Sequence, residues 1–372
     1  MSEAQWAEAK FQREHGDPAK AAAFYREVLA ADPNHLNAAI GLCRALFYLE
    51  DWPAAWEAFD VRFRLMSGPP AATRKRADGE VEKFPAWRSG PPPRRLLVLD
   101  EQGLGDTIQF SRFLTRLVEQ GVAVQFVTHT RLHRLLAPAL PQVKLLSREI
   151  PGQARGVDAW CALIDLPRLL NLTAKDFAPR IPYLLVEPDR VQMWRKRLCV
   201  PDKLNVGISW QGNPKMPADK KRSAPLAALA PLASVQGVNL ISLQMGHGSG
   251  ELQKMPFADK VTVPPADFDR SSQSFLDTAA LMTSLDLVIS VDTAVVHLAG
   301  ALGRPVLIAL HSPEPDWRWF ARPTDSPWYP SARLYRQKMP GEWDEVFLRM
   351  AHDIAKAVPK LLAQGHMLSA AE

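Results

Sequence analysis

The stretch that decides the fold is "DLVISVDTAVVHLAGALGRPVLIAL", Asp286 to Leu310. Its two apolar runs, 285–291 and 304–310, are short and rich in Val, Ile and Leu, and so read as buried strands. Between them a short helix begins on polar residues. Asp292 is its N-cap candidate, Thr293 its first helical residue and Gly303 its C-cap, and Pro305 starts the next strand. A strand, helix and strand in this order predict a βαβ unit, whose sites lie at the carboxyl ends of the strands. A helix N-terminus placed there binds anions through its backbone amides. The polar start is explained if it faces a ligand phosphate. His297 lies one turn on, on the side of Thr293, and reads either as a ligand contact or as a hydrogen-bonded core residue.

Outward from this unit the same alternation continues. "LNVGISW" (204–210), "VNLISLQ" (238–244), "KVTV" (260–263), the two runs above and "ARLYR" (332–336) predict one parallel sheet. "LLVLD" (96–100), "VAVQFVT" (122–128), "VKLL" (143–146), "AWCALID" (159–165) and "YLLV" (183–186) predict another. The two halves divide near residues 199–204 and should enclose a cleft. An amphipathic helix is expected over 343–364.

Both halves place chemistry at strand ends. After the first strand of the first half comes "EQGLGDTIQFSRFL". Gly103 and Gly105 open like a dinucleotide fingerprint, but the third glycine would fall at Ile108, and no acid follows the second strand to hold a ribose. A nicotinamide or flavin site is disfavoured. The turn instead presents Asp106 at a helix start, either as a simple N-cap or as a carboxylate placed to deprotonate a hydroxyl. In the second half a strand ends at Trp210, and the following loop carries Asn213, Lys215, Lys220, Lys221 and Arg222. These cations form either a solvated face or a phosphate-binding set.

The 372 residues suffice for two or three domains, and 47% hydrophobic with 23% charged residues is ordinary for a globular chain. A net charge of +5 suits an anionic ligand such as a nucleotide but is too small and dispersed for nucleic acid. Cys43, Cys161 and Cys199 have no metal-ligand spacing, and their odd number argues against a disulfide framework. No run is long enough to span a membrane, and "MSEAQWAEAK" lacks a signal peptide's apolar region, so a cytoplasmic location is expected.

The first sixty-odd residues hold a self-match. "GDPAKAAAFYREVLAADP" from Gly16 aligns with "EDWPAAWEAFDVRFRL" from Glu50 at an offset of 34, pairing Asp17 with Asp51, Ala21 with Ala55 and Tyr25 with Phe59. That period resembles the tetratricopeptide repeat (TPR). With only one and a half to two repeats, the region is either a helical cap or a partner-docking surface. Residues 67–93, rich in proline, glycine and charge, read as a linker, with Trp87 pinned against a domain.

Together "DEQGLGDTIQFSRFL", "GISWQGNP" with "KKRS", "ISLQ", "DTAALMTSLDLVISVDTAVVHLAGALGRPV", "DWRWF" and "DSPWYPSARLYRQ" resemble the glycosyltransferase domain of bacterial tetratricopeptide-repeat proteins. That domain is similar to the heptosyltransferases of glycosyltransferase family 9. The resemblance covers roughly residues 85–360. It implies a GT-B architecture of α/β class: a TPR-like region (1–66), the linker, an acceptor half (94–200), a nucleotide-sugar half (201–340) and a terminal helix (341–372). It further implies Asp106 as base, Lys220 or Lys221 on phosphate, the helix start at Asp292 and Thr293 beside it, and Gln244 near the nucleoside. The donor set expected on these grounds is Gly105, Trp210, Asn213, Lys220, Lys221, Arg222, Gln244, Asp292, Thr293 and His297.

The expected reaction is an inverting, metal-independent transfer of sugar from a nucleotide sugar to an acceptor hydroxyl, with no cofactor. The acceptor is a saccharide or a protein such as flagellin, and the repeat offers a surface for a protein partner. The rival readings are a nucleotide-sugar epimerase of the same fold and a repeat-mediated binding protein with an inactive transferase domain.

Overall fold

The computed structural model describes residues 3–363 apart from 16, 66–72, 76–80, 151, 179, 217–218, 270–274, 314 and 320–321. The chain opens with helices Glu3–His15, Pro18–Ala31, Leu36–Tyr48, Trp52–Ala58 and Val61–Leu65. The sequence self-match has a structural counterpart. Asp17 caps the second helix by accepting from Ala19 N at 2.9 Å, and Asp51 caps the fourth by accepting from Ala54 N at 3.4 Å. Ala21 and Ala55 are fully buried, and Tyr25 and Phe59 four residues later are buried with them. Gly41 lets the third helix lie on the Tyr25 ring, where a Cβ would come within 2.4 Å.

A short hairpin follows, β1 (Thr73–Lys75) with β2 (Val81–Lys83), antiparallel. Much of the expected linker, 67–72 and 76–80, lies outside the described residues. Its last part is attached to the first sheet: Trp87 is buried and its N–H donates to Trp160 O at 2.8 Å.

The first sheet contains β3 (Arg95–Leu99), β4 (Ala123–Thr128), β5 (Lys144–Ser147) and β6 (Ala159–Ala162) in the order β5-β4-β3-β6, all parallel. The second contains β7 (Leu204–Ser209), β8 (Val238–Ser242), β9 (Val261–Thr262), β10 (Leu287–Val291), β11 (Val306–Leu310) and β12 (Ala332–Arg336). Its order is β12-β11-β10-β7-β8-β9, again all parallel. Every residue of β7 is buried, as a central strand covered on both faces requires.

One expected strand does not form. "YLLV" (183–186) follows Pro182, which lacks an N–H, and the Tyr183 and Leu184 amides go to Ala301 O at 3.0 and 3.5 Å. The run is therefore a crossover against the second half instead of an edge of the first sheet. The next helix, Pro188–Leu198, already belongs to the second half by its contacts, with Trp194 Nε1 donating to Asp277 Oδ1 at 2.9 Å.

One core runs from Phe47, Trp52 and Trp56 through Leu96, Val98 and Phe110 to Val288, Val295 and Ile308. The helical region, the first sheet and one face of the second sheet are thus packed together. The opposite face of the second sheet packs on the last helix, Trp343–Ala363, through Val346, Phe347, Met350 and Ile354. Two parallel, helix-flanked sheets with their carboxyl edges turned to a common interface make the GT-B architecture, preceded by a short TPR-like helical region.

Candidate active site

The glycine turn after β3 runs into helix Leu104–Phe110 with Gly103 as N-cap. Asp106 is not the cap but the third helical residue. Its carboxylate turns back, and Oδ2 accepts from Gly103 N at 2.8 Å. The other oxygen, Oδ1, accepts from the Arg318 guanidinium. Burial pushes the Asp106 carboxyl up from its ordinary range, against the pull of Arg318 and the Gly103 amide.

Gly105 lies where the two halves meet. A Cβ there would fall 2.8 Å from His297 Cδ2 and 3.2 Å from Ala294 Cα. Its missing side chain lets helix 104–110 rest directly on helix Ala294–Ala301.

At the start of that second helix the cap is one residue later than expected. Thr293 is extended (φ −140°, ψ 178°), and its Oγ1 accepts from Val295 N at 3.3 Å. Asp292 precedes the cap. Asp292, Thr293 and His297 are all buried. Asp292 is pushed up to about 7, first by burial and then by the charge of Asp316, with Arg222 opposing. His297 Nδ1 meets the Tyr329 hydroxyl at 3.0 Å, and its ring stacks on Trp319 at 5.9 Å between centroids. Burial, reinforced by Arg318, Arg112 and Arg222, holds its imidazole well below the usual value, so it is neutral at pH 7.

The remaining donor candidates sit at the ends of β7 and β8. Gln244 is buried and its carboxamide is committed to the loops. Oε1 accepts from Ser209 Oγ, Trp210 N and Gln211 N at 3.0–3.1 Å, and Nε2 donates to Gln211 O and His247 O at 3.0 and 2.7 Å. It shapes the strand-end loops and has little capacity left for a nucleoside. Trp210 is wholly buried. Asn213 is exposed, and its Oδ1 accepts from Lys215 N at 3.1 Å. Lys220 and Lys221 are exposed on a single helical turn, Asp219–Arg222. Arg222 is half-turned inward, its Nε donating to buried Asp219 at 3.1 Å.

The feature that sequence reasoning missed is Arg318. It is buried, donates to Asp106 and to Gln109 Oε1, and pairs with Asp316 at 2.8 Å. "DWRWF" was visible as a motif, but nothing local assigns Arg318 a partner 212 residues away. Asp106, Gly105, Asp292, Thr293, His297 and Arg222 are thus gathered around Arg318 and Asp316 at the interface of the halves, whereas Lys220, Lys221 and Asn213 stand on the outer surface of the neighbouring loop. Among the described residues, no three His, Cys, Asp or Glu side chains converge as metal ligands, and no helix is long and apolar enough to cross a membrane.

Comparison with known proteins agrees with this organisation. The tetratricopeptide-repeat family model matches residues 12–61, and that of glycosyltransferase family 9 (heptosyltransferase) matches residues 272–340. Protein FlbA of Caulobacter vibrioides is 30% identical over 328 residues, 80% of this chain. The chain spans about half, 51%, of that relative's length. Among solved structures, the E. coli ADP-heptose LPS heptosyltransferase II is 14% identical over 73% of this chain and 99% of its own, with a TM-score of 0.48. The iron-containing dodecameric glycosyltransferase TibC of enterotoxigenic E. coli is 12% identical over 77% of this chain and 80% of its own, with a TM-score of 0.43. With the βαβ unit of residues 286–310 lying inside the matched segment, the chain joins a tetratricopeptide repeat to a glycosyltransferase domain of family 9.

Proposed function

We propose that the chain transfers a sugar from a nucleotide sugar to an acceptor hydroxyl, with inversion and without a metal ion. The observation that carries this reading is the position of Asp106: a half-buried carboxylate at a helix start of one half, held against the arginine-bearing, helix-capped face of the other.

In the proposed step the acceptor hydroxyl gives its proton to Asp106 while its oxygen bonds to the anomeric carbon. The bond from that carbon to the terminal phosphate oxygen breaks, and its electron pair leaves on the nucleoside diphosphate. Arg222, Lys220 or Lys221, and the amides at the start of helix 294–301 take up that charge, which is where electrostatic stabilisation has most effect. This provision of cations is the reason to expect no metal requirement. Asp106 must first exchange its contact with Arg318 for the acceptor hydroxyl.

The acceptor class that fits a repeat fused to a transferase is a protein such as flagellin, with a saccharide as the other candidate. The cytoplasm, where nucleotide sugars are made, is the proposed location. Release of nucleoside diphosphate from a panel of nucleotide sugars, in the presence of cell-derived acceptors, tests the reading. Asp106→Asn should abolish release while keeping nucleotide affinity within a few-fold. Wild-type turnover in that variant refutes the base.

A further inference from the structure

The helical region reaches the site from two sides. From helix Val61–Leu65, buried Arg62 donates to both Glu101 oxygens at 2.9 Å and to Asp165 at 2.6 Å. Glu101 stands at the end of β3, and the chain passes through Gln102, at φ 61°, to the Gly103 cap and Asp106. On the opposite side Trp317 is wedged into the helical region. Its ring stacks on Phe47 at 4.6 Å and meets Trp56 and Phe59 edge-on at 5.4 Å. The next residue is Arg318, whose guanidinium lies 4.2 Å above the Trp317 ring and pairs with Asp106. A third tie joins Glu50 to Arg322 at 2.8 Å. The helical region thus grips the segment that carries the proposed base and the segment that carries its arginine.

We propose that the repeat region is a positioning element of the transferase site: Phe47, Trp56 and Phe59 fix Trp317, and Arg62 fixes Glu101, so that Arg318 and Asp106 meet in one geometry. This inference rests on Asp106 being the base and assigns the repeat a part in that site, beyond capping the fold or docking a partner. The Phe47 ring packs on Trp52, Trp56, Phe59 and Trp317, so it bears on Arg318 through Trp317. A buried aromatic stack is rigid enough to pass such a constraint to the adjacent residue.

The test uses the full chain with Phe47→Leu, which keeps an apolar side chain but removes the stacked ring, and Phe47→Tyr, which restores it. Two measurements are made. The first is nucleoside diphosphate release from ADP-heptose and UDP-glucose, with ADP and UDP affinity read by calorimetry. The second is the ionisation of the Asp106 carboxyl, followed by carbon NMR in aspartate-labelled protein and assigned with Asp106→Asn. The groups facing that carboxyl are Arg318 and Asp316 on the Trp317 segment and the Gly103 amide on its own turn, while neutral His297 on the opposing helix lies against the adjacent Gly105. In Phe47→Leu, turnover should fall about ten- to a hundredfold at unchanged nucleotide affinity, as expected when a reacting group is misplaced by a fraction of an ångström. The Asp106 midpoint should rise by about one pH unit as Arg318 loosens. Phe47→Tyr should recover both. Lowered thermal stability with an unmoved Asp106 midpoint overturns the inference and leaves the helices as a cap. The carboxyl measurement needs no acceptor, so it decides the inference even if Asp106→Asn retains turnover and the base assignment fails. If Phe47→Leu does not fold, Trp317→Phe carries the same two measurements.

Discussion

Asp292→Asn should stabilise the protein at neutral pH and have no effect in acid. The side chain is 7% exposed, and burial with the Asp316 charge holds its carboxyl at about 7 against an ordinary 3.8. Between those two values the folded chain keeps a proton that the unfolded chain has released, so this group makes stability fall as pH rises through the window. Above pH 7 the full cost of a buried ionised carboxylate is present, on the order of 4 kcal/mol for a shift of this size at about 1.4 kcal/mol per pH unit. Below about pH 4 both states carry the proton and the contribution vanishes. Asparagine keeps the shape without the charge. Chemical denaturation of wild type and variant at matched pH values between 4 and 8 measures the difference, in which other titrating groups cancel. The variant should match wild type near pH 4 and gain progressively to pH 8. A difference that is flat with pH refutes the reasoning. The same group bears on the ligand. A diphosphate seated at the Thr293 helix start would push Asp292 higher still, so binding of ADP or UDP near pH 7 should take up a proton, seen as a buffer-dependent calorimetric heat that Asp292→Asn abolishes.

The other expectations concern single contacts. Thr293→Val removes the hydroxyl that accepts from Val295 N and should lower stability by about 1 kcal/mol, with a similar loss of nucleotide affinity by calorimetry if that hydroxyl also meets phosphate. His297→Ala empties a site packed between Trp319, Tyr329 and Gly105 and should lower stability by roughly 2–4 kcal/mol in denaturant titration; unchanged stability with lost affinity would make it a ligand contact instead. Gly105→Ala should weaken the seam between the halves by about 1–3 kcal/mol, because its Cβ meets backbone at Ala294 that cannot swing aside; a stability equal to wild type contradicts the close approach. Turnover should survive EDTA, and loss restored by magnesium, manganese or iron would show that the cationic loop does not suffice.

The parallel strands were legible because parallel sheets covered on both faces are made of near-continuous Val, Ile and Leu runs, and β10 and β11 are such runs. "YLLV" has the same composition, and only the neighbouring Pro182 and the waiting carbonyl of Ala301 divert it. The helix start at 292–293 was legible to within one residue, since Asp and Thr both make good caps and the backbone alone decides which is extended. The commitments of Gln244 were not legible, because its position at a strand end gives no sign of whether the amide turns out to a ligand or, as here, inward to five neighbouring groups. Arg318 could not be assigned because its partners come from the other half, and local pattern carries no information about pairs so distant.

The polar residues of the opening stretch are buried because the first half closes over them, and this closure has an electrostatic consequence. Asp106, Asp292 and Asp316 face Arg318 and Arg222 at the seam, three carboxylates against two guanidiniums. Such a set already leans negative, and a diphosphate brought into it unaltered would be repelled. Either Asp292 stays protonated and Arg318 turns from Asp106 to the phosphate, or the halves part far enough for water and the exposed Lys220 and Lys221 to share the charge. In both cases Asp106 loses its guanidinium as the donor arrives. A carboxylate freed from its cation in such a site becomes more basic, so the proposed base would be strengthened by the same event that brings the proposed leaving group into place.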